Sequence, residues 1–280
     1  MLRIFTWNIQ GHVEALQAAL THLGRPDAPA TIAVLTEVPD ARNLLHRDPK
    51  SGRRITTPEF RRWLQSVRAT TPFKTWQGVI YMTAAGTTIT PRGANQSHTA
   101  ILSSCSRTLT YKNGANRFVR AELPGPFPIH VLGVHARYGR AAEDQLNLTA
   151  PFVFARALLE SVENKQGLKI VAGDFNAEPF DRLLSDLKGY NSRSTRPRKP
   201  PMTHYWANLT WQAIKWRSTG TYWSKDARTW KWLDQILVDP VTAEQVVDVN
   251  VVERIDGKDP FSWSDHAPIE AILRLELEAE

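Results

Sequence analysis

Cysteine is the rarest feature of this 280-residue sequence, with Cys105 standing alone. One thiol excludes an intramolecular disulfide framework and a cysteine-cluster metal site. No apolar run approaches the ~20 residues of a membrane span. Leu2 to Trp7 is apolar but leads straight into polar residues, too brief for a secretory core. A cytoplasmic location with no membrane partner is the expectation. Pro and Gly number only 18 and 15, and 42% hydrophobic against 22% charged residues fits a soluble globular chain and excludes low-complexity or collagen-like ones. No internal repeat is present. The length suits one domain, residues 1–280, with a sizeable core.

Acidic residues are also scarce, but only locally. Residues 190 to 232 hold nine basic groups (Arg193, Arg196, Arg198, Lys199, Lys215, Arg217, Lys225, Arg228, Lys231) against one acid, Asp226. Residues 41 to 70 hold eight against Asp48 and Glu59. The formal +7 is therefore two basic segments laid on an acidic body, which favours a polyanionic partner. Six of the ten Trp also fall in the segment at about 190–232, which reads as a basic, Trp-rich, insertion-like region. Cations neutralise backbone phosphates and exposed aromatics stack on bases, so the mixture suits nucleic acid, DNA or RNA. Trp223, in Thr221-Tyr222-Trp223, is the best stacking candidate, and Arg196, Arg198, Lys199, Arg53 and Arg54 are candidate phosphate contacts. The same residue types also have plainer uses. Trp211 and Trp216 suit a core, Trp230 and Trp232 flank a strand, and Arg61 and Arg62 suit the wet side of a helix built on Phe60, Trp63, Leu64 and Val67.

Apolar runs of strand length recur at Leu2 to Trp7, Thr31 to Leu35, Ile129 to Val134, Leu168 to Ala172 and Leu233 to Val238. Most are unbroken and rich in Val, Ile and Leu, as expected of strands buried on both faces. From Ile269 to Leu277 apolar residues alternate with mostly charged ones, the pattern of a strand with one wet face. Val13, Leu16, Leu20 and Leu23 recur at helical spacing before Gly24, and further helices are expected within 141 to 165 and around 180 to 188. Residues 73 to 123 read as consecutive strands with Asn113-Gly114 as a turn signal. Helices alternating with strands in places, and strands adjoining strands in others, predict a layered α/β sandwich rather than a strictly parallel sheet. Ser192 to Pro201 reads as an exposed loop.

A polar residue stands at the end of nearly every apolar run. Asn8 follows the first, Glu37 the second, His135 the third, and Asp174 and Asn176 the fourth; Asp234 opens the fifth, and Asp265 and His266 precede the last. Taken singly, each has a bland reading: a turn-capping Asn, a solvated strand-end carboxylate, a hydrogen-bonded core His, an Asp turn. Strand ends in layered α/β proteins gather along one rim where ligands bind, and the set in this order is what carries weight.

These pieces resemble the endonuclease/exonuclease/phosphatase superfamily, the DNase I-like fold. The matching motifs are Thr6-Trp7-Asn8-Ile9-Gln10-Gly11, Leu35-Thr36-Glu37-Val38, Gly133-Val134-His135, Gly173-Asp174-Phe175-Asn176-Ala177-Glu178-Pro179, Leu233-Asp234-Gln235-Ile236-Leu237-Val238 and Ser264-Asp265-His266-Ala267-Pro268. Gly-Asp-Phe-Asn and Ser-Asp-His are the most specific, and the set spans nearly the whole chain. Three departures stand out. Thr36 replaces a common Gln, Gln235 replaces a usual aromatic, and Val38-Pro39 replaces the Thr-Lys typical of the apurinic-site endonuclease branch, which argues against that branch.

The resemblance implies a four-layered α/β sandwich, with two packed mixed β-sheets flanked by helices, and metal-dependent phosphodiester hydrolysis. Hard oxygen ligands suit Mg2+ or Mn2+. The implied metal ligands are Glu37, with Asn8 adjacent and Asp265 nearby. The implied catalytic set is His266 as general base or phosphate-polarising group, Asp234 orienting it, Asp174 orienting water, Asn176 on a phosphate oxygen, and His135 at the phosphate or leaving group. The division of labour between Asp174 and His266 stays open. A nuclease is the leading expectation; the alternatives are a phosphohydrolase acting on small-molecule or lipid phosphoesters and an inactive nucleic-acid-binding module.

Overall fold

The computed structural model describes residues 1–39, 58–60, 62, 73–76, 79–83, 97–105, 110–115, 118–136, 166–176, 207–210, 213 and 220–275. Two mixed sheets dominate. The first contains β1 (Leu2–Asn8), β2 (Ala30–Pro39), β3 (Phe73–Trp76), β4 (Val79–Thr83), β5 (Ser97–Ser103), β14 (Val246–Val251) and β15 (Ile269–Leu273), in the order β14-β15-β1-β2-β5-β4-β3. The second contains β6 (Thr110–Ala115), β7 (Phe118–Leu123), β8 (Ile129–His135), β9 (Leu168–Asp174), β10 (Ala207–Asn208) and β13 (Asp234–Val238), in the order β10-β13-β9-β8-β7-β6. A separate hairpin pairs β11 (Tyr222–Ser224) with β12 (Thr229–Lys231).

The sheets face each other across a core that alternate residues of each strand supply, because side chains in a strand point to opposite faces in turn. Leu2, Ile4, Ile32, Val34 and Ile101 from the first sheet meet Val119, Val131, Ile170, Ala172 and Ile236 from the second. The intervening residues of the first sheet, Phe5, Trp7, Ala33, Leu35, Ala100 and Leu102, are buried under α1 (Val13–Leu23) through Leu16, Leu20 and Leu23. Each such large side chain taken fully out of water contributes roughly 1.5–3 kcal/mol. The outer face of the second sheet is buried too, at Leu132, Val171 and Leu237. A strand buried on both faces therefore reads as a continuous apolar run, as β1, β8 and β13 do.

Expectation and structure part in a few places. Asn113-Gly114 is not a turn but lies inside β6, where pairing with β7 shifts register between Tyr111 and Asn113. The pairing continues to Ala115 opposite Phe118, so a local turn signal has yielded to the cross-strand ladder. Gln235 fills the place of an aromatic residue as a buried polar group: it accepts a 2.6 Å hydrogen bond from Asn208 and donates one of 3.2 Å to the Trp232 carbonyl. Trp232 belongs to the core, whereas Arg62 is exposed and pairs with Glu59 on the wet side of buried Phe60. The helices expected within 141 to 165 and 180 to 188, the loop 192 to 201, and Arg53, Arg54, Arg196, Arg198, Lys199, Trp206, Trp211 and Trp216 lie outside the described residues.

Candidate active site

The site is where the core stripes run out. Leu2, Ile4 and Thr6 continue inward at Asn8; Ile129, Val131 and Gly133 at His135; Leu168, Ile170 and Ala172 at Asp174; and, in the reverse direction, Val238 and Ile236 at Asp234. β1 and β2 run parallel, as do β8 and β9, while β13 is antiparallel to β9. The pairings His135↔Asp174 and Asp234↔Asp174 therefore set three polar residues side by side at one end of the second sheet. Asn8 brings the first sheet to them, donating to Asp174 Oδ2 at 2.8 Å and to Glu37 Oε1 at 3.2 Å.

Glu37 reaches this point through a bulge. Leu35 pairs with Ala100 and Val38 with His98, so Thr36 and Glu37 together oppose a single residue of β5. The φ of Glu37 is +52°, a left-handed conformation that a non-glycine residue holds at some cost, typically at a functional position. Two glycines relieve crowding here, Gly133 between the two sheets and Gly173 between β8 and β9 within the second sheet. A Cβ on Gly133 would stand 3.0 Å from Val34 Cγ1, and one on Gly173, at φ +141°, only 1.8 Å from the Val134 carbonyl oxygen. His135 Nε2 consequently lies 3.5 Å from Glu37 Oε1 and 4.0 Å from Asp174 Oδ2.

Asp174 is held firmly. The backbone N–H of Asn176 donates to its Oδ1 at 2.7 Å, and the Asn176 amide reaches Oδ2 at 3.3 Å and the Ala136 carbonyl at 2.8 Å. Asn176 has φ +48°, a conformation that Asn tolerates better than most residues. Asn176, the implied phosphate contact, also braces Asp174. Burial raises the Asp174 carboxyl to about 7, the nearby Asp234 charge adding to the effect while His266 and the amide donors oppose it.

On the far side of Asp174 stands a tight pair, His266 Nδ1 to Asp234 Oδ2 at 2.6 Å. Burial pulls the imidazole down, but the Asp234 charge and hydrogen bond, helped by Asp174 and Asp265, outweigh it and raise His266 to about 9. Asp265 Oδ1 is 3.6 Å from His266 Nε2, so this carboxylate lies against the imidazole, outside the group that gathers around Glu37.

One participant in this pair is invisible in the sequence. Thr221, fully buried, accepts the backbone N–H groups of both Leu233 and Asp234 on its Oγ1 at 3.1 Å, and its carbonyl accepts from Ala267 N–H at 2.6 Å. Next to it the Tyr222 ring sits 4.8 Å from the His266 ring, and Trp223 N–H donates to the Asp265 carbonyl at 3.1 Å. A hydroxyl bonding to distant backbone leaves no periodic trace; only its place in a run of aromatics could have drawn the eye. Trp223 itself is half-buried at the hairpin, its ring 5.0 Å from that of Trp230, which in turn meets exposed Phe261 at 5.1 Å.

The donor set fits a divalent cation. Glu37, His135 and Asp174 each offer a ligand atom, all within 4.8 Å of one another. Among the described residues Asp234 Oδ1 is buried without a hydrogen-bond partner, so the described part of the rim holds more negative charge than its donors satisfy.

Comparison with known proteins agrees with this geometry. Residues 5–266 match the model of the Endonuclease/Exonuclease/phosphatase family. Among curated proteins none matches the sequence significantly. Similar solved structures include an AP endonuclease from Archaeoglobus fulgidus, 16% identical with a TM-score of 0.60 over 98% of this chain and 100% of that one. Another is the 3′ phosphatase NExo from Neisseria bound to product DNA hairpin, at 17% and 0.59 over 98% and 100%. A third is truncated Caenorhabditis elegans TDP2, at 18% and 0.56 over 96% of each chain. At such identities the likeness establishes the fold, a DNase I-like α/β sandwich. With the family model covering most of its length, the chain belongs to the endonuclease/exonuclease/phosphatase family.

Proposed function

We propose that this protein is a metal-dependent phosphodiesterase that hydrolyses DNA or RNA. The observation carrying this reading is the meeting, at one buried rim, of the Glu37, His135 and Asp174 group with the Asp234–His266 pair. Their protonation states are complementary. Asp174, at about 7, has both forms within reach near neutral pH and takes the proton of the attacking water. His266, at about 9, is cationic there; Asp234 keeps Nδ1–H engaged, so Nε2–H is the proton presented to the phosphate or the leaving oxygen. A bound Mg2+ or Mn2+ supplies charge neutralisation on the non-bridging oxygens and lowers the pKa of water. Glu37 is its principal ligand. Asn8 ties Glu37 to Asp174 and Asn176 fixes the Asp174 carboxylate, so both act by orienting other groups.

Nucleic acid as substrate is supported by the two basic segments, by Trp223 and Trp230 on the hairpin whose Tyr222 ring lies beside His266, and by the AP endonuclease and DNA-bound phosphatase among the structural neighbours. Arg53, Arg54, Arg196, Arg198 and Lys199 supply phosphate contacts along the polymer in this reading. The test incubates purified protein with plasmid, single-stranded DNA, RNA and bis-p-nitrophenyl phosphate, with Mg2+, Mn2+ or EDTA. Cleavage of a polymer that EDTA abolishes is the expected result. Turnover of small esters alone would instead indicate a small-molecule phosphohydrolase, and polymer binding without turnover an inactive module.

A further inference from the structure

We infer that His135 Nε2 is itself a ligand of the ion that Glu37 holds, and that this nitrogen gives the centre a preference for Mn2+ over Mg2+. The inference rests on the metal-dependent reading above and departs from a phosphate-contact role for His135. Three observations converge on it. First, Glu37 is aimed across the gap between the sheets by a bulge and a left-handed backbone, and the side chain it meets there is His135, 3.5 Å away and nearly fully buried. That separation lies between those of adjacent and opposite donors on one six-coordinate ion, about 3.0 and about 4.2 Å.

Second, the approach is built into the backbone. Gly133, two residues before His135 on the same face, faces Val34 so closely that a Cβ would crowd the Val34 methyl at 3.0 Å, so β8 and β2 approach tightly here. Third, Asp174 is already engaged by three amide donors, from Asn8 and twice from Asn176, whereas among the described residues Glu37 Oε1 has only the 3.2 Å bond from Asn8 in addition to His135. Asp174 is thereby left as a proton acceptor beside the ion, and Glu37 with His135 forms the grip. Mg2+ is hard, keeps its waters and favours oxygen throughout, while an imidazole suits first-row transition ions better. A mixed oxygen and nitrogen grip therefore moves selectivity toward Mn2+.

The test is Mn2+ binding to the purified full chain without substrate, followed by electron paramagnetic resonance, with pulsed measurements of nitrogen coupling and competition by Mg2+. Expected is a directly bound nitrogen signal that disappears in His135→Gln. The preference for Mn2+ should be about tenfold or more in the parent protein and fall toward unity in that variant. His135→Asp, which restores an oxygen donor, should bind both ions with the preference shifted to Mg2+, and circular dichroism shows whether each variant is folded. Mn2+ bound with no nitrogen coupling, or an unchanged preference in folded His135→Gln, overturns the inference and leaves metal dependence standing. Failure of the parent protein to bind either ion overturns both.

Discussion

The two halves of the rim differ in how finished they are. On one side Asp234 and His266 form a pair 2.6 Å apart with side chains 0% and 6% exposed, and Thr221 ties the strand of one to the loop of the other. On the other side Glu37 is 34% exposed, stands 3.5 Å from His135, and sits on a strained backbone. The first half is preassembled by protein contacts alone. The second has its groups within reach of one another but less tightly paired, the arrangement that the proposed ion would complete. Preorganisation thus resides in the Asp234–His266 half, and the looser arrangement in the half proposed to take up an ion.

That contrast breaks most severely where the halves meet. Asp174→Asn keeps the shape and the amide donors but removes the base; turnover is expected to fall by about a thousandfold or more in steady-state assays, with unfolding midpoints little changed. His266→Ala should cost a comparable amount. Thr221→Val, by contrast, leaves every group that would touch substrate intact and strips two buried N–H groups of their acceptor. Its kcat should fall by about tenfold with KM nearly constant, and Thr221→Ser should recover most of the loss. If preassembly of the pair is the cause, the low-field NMR resonance of the His266 Nδ1 proton moves in the valine variant and returns in the serine one. A purely structural role would lower stability and leave that resonance in place.

The gentlest probe is pH. His266 is raised to about 9 from an ordinary 6.5, so its charged pairing with Asp234 stabilises the fold fully below the ordinary value and is lost as pH rises through about 9. Activity should decline over the same alkaline range. Asp234→Asn removes the largest raising influence and should move that decline to lower pH, whereas Glu37→Gln should leave its position alone. Equal shifts in both variants would mean that the two halves are not separable.

Much of this rim could be read from the chain. Asn8, His135 and Asp174 each occupy the next inward position after a buried apolar run, and Asp234 precedes one, so a strand prediction and a period of two suffice to place them. What stayed hidden depends on contacts without a local signature. The bulge at Thr36-Glu37 is visible only once β5 is paired beside it, Thr221 acts through backbone far away in sequence, and Asn113-Gly114 carries a turn signal that the ladder overrules. Asp265, expected near Glu37, stands 3.6 Å from His266 Nε2, where residues 264–266 are pinned by Asn8 and Trp223 on either side.

The bulge in β2 also changes the parity of the strand. Leu35 and Val38 both pack beneath α1, although three residues apart, because one extra residue has been absorbed between them. A chain one residue shorter at Thr36 would restore an unbroken pleat with Val38 still beneath α1, and would remove the left-handed bulge that sets the direction of the Glu37 carboxylate. Such a protein would keep its core sequence and every other residue of the rim, yet lose the placement of Glu37 on which the proposed ion site depends. Spacing at this point, as much as residue identity, is what a relative of this protein must keep to retain the site.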